Sequence, residues 1–255
     1  MGKEYAIAVI PGDGIGPEVL AQGIRVLRAA GEAFGFSLRM TEYPWSADHY
    51  LKTQVLMPDS ALDEYRQQDA IYLGAIGDPR LPVGQLERAV VGAIRFRLDL
   101  YVNLRPIRCL ADHLSPLKDK GPKEIDLVVC RENTEDCYTG ISGHLKKGTP
   151  DEVAIQEMVY TRKGTERIIR YAFELARRRP RRKLTLVDKA NAIAAHDLWR
   201  RTFAEVGREY PDVTTDIALV DAAGMWMLKN PEWFDVVVTT NLFGDILTDL
   251  GAMLQ

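Results

Sequence analysis

Cysteine is scarce. The three present, Cys109, Cys130 and Cys137, form no Cys-x-x-Cys pair, and an odd number cannot all be joined as disulfides. Reduced thiols and a cytoplasmic setting are the expectation. Long apolar runs are also missing. The opening MGKEYAIAVIPGDG carries a six-residue apolar run before a Pro-Gly break, too short for the core of a signal peptide or for a membrane span. Charge of one sign is not in excess either. Lys and Arg number 33 against 36 Asp and Glu, a formal net charge of −3, so no overall basic field draws the chain onto nucleic acid or an anionic membrane. A small-molecule partner fits this balance better. Internal repeats and low-complexity tracts are absent.

What is present is ordinary for a globular protein. With 46% hydrophobic and 27% charged residues over 255 positions, the chain can build one large or two small cores. Short runs rich in Val, Ile and Tyr recur as AIAVI, DAIYLGAI, EIDLVVC, KLTLVD, DIALVD and FDVVVTT. Most are separated by segments of helical period: residues 19–33 and 165–179 place apolar side chains at three-and-four spacing, and 198–206 does so more briefly. That rhythm predicts an α/β fold with sheets covered on both faces. Residues 137–161 break it with three glycines, a proline and an alternating EVAIQEMVY segment, and are expected to form a protruding hairpin or arm that pairs with another subunit. The basic run Arg177 to Lys183 reads as a helix end complemented by cations and stopped by Pro180 rather than as a nucleic-acid patch. The early GDGIGPEV is glycine-rich after a strand, but its spacing misses both G-x-G-x-x-G and the phosphate loop.

Three constellations carry chemistry. In VVVTTNLFGDILTDLGAMLQ an apolar strand runs into a helix bearing Asp245 and Asp249. Spacing of i,i+4 puts both carboxylates on one face, where they repel unless a hard cation lies between them. The plainer reading is that Asp245 complements the helix start and Asp249 is solvated. Asp221, at the end of DIALVD, can converge with Asp245 at the carboxyl edge of one sheet. The second constellation is cationic: Arg95 and Arg105 in IRFRLDLYVNLRP and Arg131 after EIDLVVC. Three guanidinium forks suit a substrate with two or more carboxylates, although Asp99 and Glu132 stand close by as plain ion-pair partners. The third is Tyr138 with Lys189, the latter placed directly after an apolar strand in VDKANA, where burial near cations would let it serve as a base.

The ordered set IPGDGIGPEV, LGAIGDP, IRFRLDLYVNLRP, RENTEDCYTG, VDKANA and NLFGDILTDL resembles the isocitrate and isopropylmalate dehydrogenase family, metal-dependent β-decarboxylating dehydrogenases. The resemblance spans the whole chain. It implies an isopropylmalate dehydrogenase-like fold of two α/β domains around a cleft, not a Rossmann fold, which agrees with the missed fingerprint. Residues 1–100 would form the first domain, left incomplete, and 101–255 the second, with the metal site and a dimerisation arm near 137–161. Carried over position by position, Arg95, Arg105 and Arg131 would bind substrate carboxylates. Asp221, Asp245 and Asp249 would hold Mg²⁺ or Mn²⁺, and Tyr138 and Lys189 would form the acid–base pair. Asn191 would lie near the nicotinamide of NAD, with Gly74, Ala75 and Ile76 also at the cofactor. A homodimer is implied in which Lys189 and Asp221 reach into the partner's site.

The substrate expectation rests on the segment before Arg95. Isocitrate enzymes carry a Ser-x-Asn there for a third carboxylate; here Ala89, Val90 and Val91 stand in LERAVVGAIR, and an apolar patch cannot satisfy a carboxylate. It suits an alkyl group, and Glu87 falls near a Glu of the isopropylmalate enzymes, so 3-isopropylmalate, converted to 4-methyl-2-oxopentanoate on the route to leucine, is expected. The usual Gly-Leu-Leu is not kept, and MVYTRKGTERIIRYAFELA resembles the tartrate and D-malate enzymes, which are the alternatives ahead of isocitrate and homoisocitrate. A non-catalytic regulatory subunit is the rival of another class, but such subunits lose site residues that are all kept here. A metal-dependent phosphatase is disfavoured because no nucleophile motif accompanies the aspartates. Family members run longer, and ILTDLGAMLQ ends in a helical pattern without a clear cap. A fragment is therefore expected, inactive by itself because the loop contacting the adenosine ribose would lie beyond Gln255.

Overall fold

The computed structural model describes residues 2–255, which form two compact units, one ending at Asp99 and one running Leu100–Gln255. The first unit runs β1 (Glu4–Ile10), α1 (Gly16–Phe34), β2 (Ser37–Glu42), α2 (Ala47–Thr53), α3 (Asp59–Tyr65) and β3 (Ala70–Leu73). It closes with α4 (Gln85–Glu87), one π-helical turn over Arg88–Gly92, and α5 (Ala93–Arg97). Its sheet has the order β2-β1-β3, all parallel. Strand periodicity sends alternate residues of β1 to opposite faces. Ala8 and Ile10 pack with Leu62, Tyr65, Val90 and Ile94, while Ile7 and Val9 pack with Leu20 of α1. β2 was not legible as a strand, because SLRMTE has little apolar content and lies at the sheet edge.

The GDGIGPEV turn earns its glycines sterically. Gly12 has φ +75°, and a Cβ on Gly16 or Gly74 would strike the carbonyl of Pro11, so the β1 and β3 loops can close together only where both lack side chains. Asp13, buried in this turn, ties it down by accepting from the amides of Ala47 at 2.7 Å and Gly77 at 3.0 Å.

The second unit holds β4 (Val102–Arg108), β5 (Asp126–Glu132), the ribbon strands β6 (Ser142–Leu145) and β7 (Val153–Gln156), α6 (Arg162–Arg178), β8 (Lys183–Asp188), α7 (His196–Gly207), β9 (Thr214–Leu219), α8 (Val220–Lys229), β10 (Val236–Thr239) and α9 (Asn241–Ala252). The main sheet has the order β4-β5-β10-β8-β9 and is parallel except for β4. Val236 and Val238 of the central strand pack toward α6 and α7 with Phe173 and Trp199. Val237 packs on the opposite face with Met227 of α8 and Leu247 of α9. A strand buried on both faces reads as a continuous apolar run, which is why FDVVVTT stood out in the sequence.

Thr161 caps α6 by accepting from the Gly164 amide, and the basic run after it is absorbed locally. Arg179 bonds Asp126 and Asp235, and Arg181 donates to the carbonyls of Glu232 and Phe234. The ribbon β6–β7 is antiparallel and exposed along both strands, with Leu145, Val153 and Ile155 all facing solvent. The three thiols are free. Among the described residues no helix is long and apolar enough to cross a membrane.

Candidate active site

The carboxyl ends of β5 and β10 are neighbours, and Arg131 and α9 meet there. Arg131 is 1% exposed. Its Nε and Nη2 donate to Asn241 Oδ1 at 3.0 and 2.7 Å, and Nη1 pairs with Asp245. It can lie this close to α9 only because position 244 is glycine: a Cβ there would overlap the Arg131 side chain. Arg105 on β4 reaches the same helix, donating to Thr248 Oγ1 at 3.4 Å and to Asn103 Oδ1 at 2.8 Å. Glu132, an expected ion-pair partner for these arginines, instead turns inward and accepts from the amides of Thr134 and Glu135 and the Thr134 hydroxyl. Burial raises its carboxyl above the usual range.

Tyr138 donates its hydroxyl to Asp245 Oδ2 at 3.1 Å, and the Arg131 guanidinium lies 5.5 Å from its ring centre. Burial first, then the Asp245 charge, push the phenol above its ordinary value. The loop that carries it is anchored by Asp136, fully buried and held at φ +70°, a costly backbone for any residue but glycine. Asp136 accepts from the amide of Cys137 at 2.8 Å and from Leu242 in the first turn of α9 at 2.9 Å, satisfying a helix-start N–H from a different loop.

Lys189 follows β8. Its Nζ lies 2.7 Å from Asp221 Oδ1, so its neighbour is a carboxylate and not the cations expected. The hydrogen bond from Lys189 holds the Asp221 carboxyl below the usual range. Asp188 fixes the start of this loop by accepting from Ala190 and a two-pronged Arg200. Asp221 itself lies in the first turn of α8, two residues past the strand on which it was expected. Asn191 is exposed on the same loop. An apolar groove beside the Lys189–Asp221 pair is lined by Ile193, Met225, Leu228, Phe243, Ile246 and Leu250, and Met225 and Ile246 are 65% and 58% exposed.

Asp221 and Asp245, which share a sheet edge in the sequence reading, make separate contacts within one chain. Asp245 is engaged by Arg131 and Tyr138, Asp221 by Lys189, and Asp249 is exposed one helical turn beyond Asp245. Among the described residues no set of three His, Cys, Asp or Glu gathers to hold a metal. Carboxylate oxygens are the right donors for a hard divalent ion, and a single chain offers two of them on one face of α9.

In the first unit, Arg95 lies half-buried on α5 and Glu87 is exposed at the end of α4, close to Gly77. Val90 corrects an expectation. It is 1% exposed and belongs to the core with Ile10 and Leu62, so it offers a substrate no surface, whereas Ala89 and Val91 are half-exposed. Gly74 and Ile76 are half-buried and Ala75 exposed, and the Ala75 carbonyl accepts from Asp13 at 2.6 Å. The requirement for glycine at 74 thus comes first from its contact with Pro11. Asn241, Gly244, Asp136 and Asp188 were not singled out in the sequence. Asn241 and Gly244 lay in plain view within NLFGDIL, but only the packing of Arg131 gives them a task.

Comparison with known proteins gives the chain its family. The sequence signature of isocitrate/isopropylmalate dehydrogenases matches residues 6–255. A 3-isopropylmalate dehydrogenase of Thermobifida fusca is 52% identical over 251 residues, covering 98% of this chain and 71% of the relative. One from Streptomyces griseus is 49% identical, covering 100% and 73%. Among solved structures, isocitrate dehydrogenase from Methylococcus capsulatus superposes with a TM-score of 0.86 at 39% identity, over 98% of this chain and 70% of that one. A β-decarboxylating dehydrogenase from Thermococcus kodakarensis gives 0.72 at 35% identity, over 97% and 67%. On sequence and fold together, the chain belongs to the isocitrate/isopropylmalate dehydrogenase family.

Proposed function

We propose that this chain catalyses NAD-dependent oxidative decarboxylation of a 2-hydroxy diacid, and that the diacid is 3-isopropylmalate. The observation that carries the reading is the cluster of Arg131 and Tyr138 around Asp245 of α9, with Arg105 alongside. A guanidinium that is buried yet keeps N–H groups beyond its protein contacts suits a carboxylate. A phenol whose proton is held by burial and a neighbouring anion suits a general acid.

In this reading Arg105 and Arg131 hold the substrate carboxylates. Lys189 takes the C2 hydroxyl proton as the C2 hydride passes to NAD⁺, giving a 2-oxo acid. The bond to the β-carboxylate then breaks, CO₂ leaves, and Tyr138 delivers a proton to C3. A divalent cation, when bound, supplies a positive charge that stabilises the anionic C2 oxygen. Asp245 and Asp249 are the residues of this chain that would hold it. Lys189 and Asp221 pair at the rim of the apolar groove between α8 and α9. A homodimer burying that groove would carry both residues toward the second copy's Asp245, completing two shared sites. The groove's exposed Met225, Leu228 and Ile246 supply the apolar surface for such a contact.

The test is NADH formation with Mn²⁺ and a panel of 3-isopropylmalate, D-malate, tartrate and isocitrate. It is run on the 255-residue chain and on the chain extended to the full span of its relatives. Turnover of 3-isopropylmalate, abolished by a chelator and restored by Mn²⁺, is expected. Preference for another of the four acids overturns the substrate, and no turnover of any in either form overturns the activity.

A further inference from the structure

Tyr138 and Lys189 stand on loops that leave different strands, yet a single line of hydrogen bonds joins them beneath the surface. The Lys189 amide donates to His196 Nδ1 at 2.9 Å. His196 Nε2 lies 3.1 Å from the Tyr160 hydroxyl, which donates to Asp136 Oδ1 at 3.0 Å. The same carboxylate receives the Cys137 amide, adjacent to Tyr138, and the Leu242 amide of the helix that bears Asp245. His196 and Asp136 are fully buried. The Tyr160 ring stands edge-on to both His196 and Trp199. Asp136 pays for its place with a left-handed backbone.

From this geometry we infer that Asp136, Tyr160 and His196 are positioning residues that lock the Tyr138 loop to the Lys189 loop, with the imidazole neutral and its one proton on Nε2. This rests on the proposed reading of Tyr138 and Lys189 as acid and base. The proton order follows from both ends of the line. A backbone N–H can only donate, so Nδ1 must be the bare nitrogen. A carboxylate can only accept, so the Tyr160 proton points to Asp136, and the phenolic oxygen is left to accept from Nε2. A second ring proton would set a donor against the Lys189 N–H and break the line at the base loop. Burial favours the neutral ring, and outweighs the opposing pull of the Asp188 and Asp136 charges, which Arg200 partly offsets. In the proposed dimer Tyr138 serves its own chain's site and Lys189 the partner's, so one relay would hold parts of both sites.

The test pairs a spectroscopic and a kinetic measurement. Nitrogen-15 NMR of His196 in the wild-type chain is expected to show a neutral ring protonated at Nε2 at pH 7. In Tyr160→Phe, which keeps the ring and loses the hydroxyl, Lys189 amide exchange is expected to quicken and the ring to become a mixture of tautomers. In the active form, kcat of Tyr160→Phe should fall about ten-fold with KM within a factor of about two, because the arginines that bind substrate are outside the relay. Phe203→Leu, cut in the same core but not in the relay, serves as the control and should keep kcat. A ring protonated at Nδ1, unchanged Lys189 exchange in Tyr160→Phe, or an equal loss of kcat in Phe203→Leu overturns the inference. The NMR arm needs no turnover, so failure of the proposed activity leaves it decisive.

Discussion

At the scale of the residue, the site depends on groups asked to do more than one thing. Asp245 neutralises a buried guanidinium, accepts from Tyr138 and, in the proposed reaction, helps hold the cation. Asp245→Asn should therefore lower kcat by on the order of 10²-fold or more while Mn²⁺ loses its stabilising effect on thermal unfolding; near wild-type turnover with unchanged metal response would remove it from the site. Tyr138→Phe should keep that metal response and slow only the step after CO₂ leaves, by on the order of 10²-fold, read as the decarboxylated enol released before it is protonated at C3. His196 gives a stability prediction with a definite sign. Its folded pKa lies below the ordinary value, so between the two values the unfolded chain binds a proton that the folded chain refuses. Stability is then lost as pH falls from about 6.5, and the thermal midpoint in that window should drop less in His196→Asn than in the wild type. Residue types such as Arg131 and Lys189 were legible in the sequence with their chemistry. Their neighbours were not, and the carboxylate beside Lys189 replaced the cations expected there.

At the scale of the element, α9 is the piece on which the site is built. Arg131, Arg105 and Tyr138 all reach it from other elements, and its spacing of Asp245, Thr248 and Asp249 presents one polar stripe. Gly244 shows two effects in opposition. Alanine there would favour the helix by about 1 kcal/mol, but its Cβ would overlap Arg131, and overpacking typically costs about 1–3 kcal/mol. Gly244→Ala is thus expected to lower thermal stability and raise KM for the diacid several-fold; a more stable variant with unchanged KM would mean Arg131 does not need this groove. Helices 1, 6 and 7 and the interior strands were legible because burial on one stripe or on both faces leaves a periodic record. β2 and β4 were not, since SLRMTE and VNLRPIR break their apolar residues up with polar ones and a proline, whereas the edge strands β3 and β9 keep the short apolar runs of DAIYLGAI and DIALVD. Likewise Val90, read as substrate-facing from its place before Arg95, is core, because the chain there winds through a π-helical turn that linear spacing cannot anticipate.

At the scale of the molecule, the apolar groove between α8 and α9 and the exposed ribbon β6–β7 are surfaces whose composition suits a second copy. Leu228→Glu with Met225→Glu places charge in the groove without touching Asp245, Tyr138 or Arg131. If the homodimer is right, sedimentation should show a monomer of that double variant, and turnover should fall far below wild type because Lys189 and Asp221 no longer reach a partner. A monomer as active as the wild type would mean that each chain completes its own site. The chain covers 71% of the Thermobifida fusca relative, so assays belong on both the chain and its extended form.

The sequence by itself determined the α/β class, the family, and which residue types carry the chemistry. Periodicity and ordered motifs such as RENTEDCY and NLFGDIL are local, and local patterns survive in one dimension. Only the tertiary structure decided that Asp245 meets Arg131 across 114 positions, that Asp221 is held by Lys189, and that Val90 is core. It also decided that a buried line from Asp136 through Tyr160 to His196 spans 60 positions between the two loops. Each of these depends on which strands lie side by side in the order β4-β5-β10-β8-β9. That order is set by how apolar faces of distant segments pack, and nothing in the spacing along the chain records it.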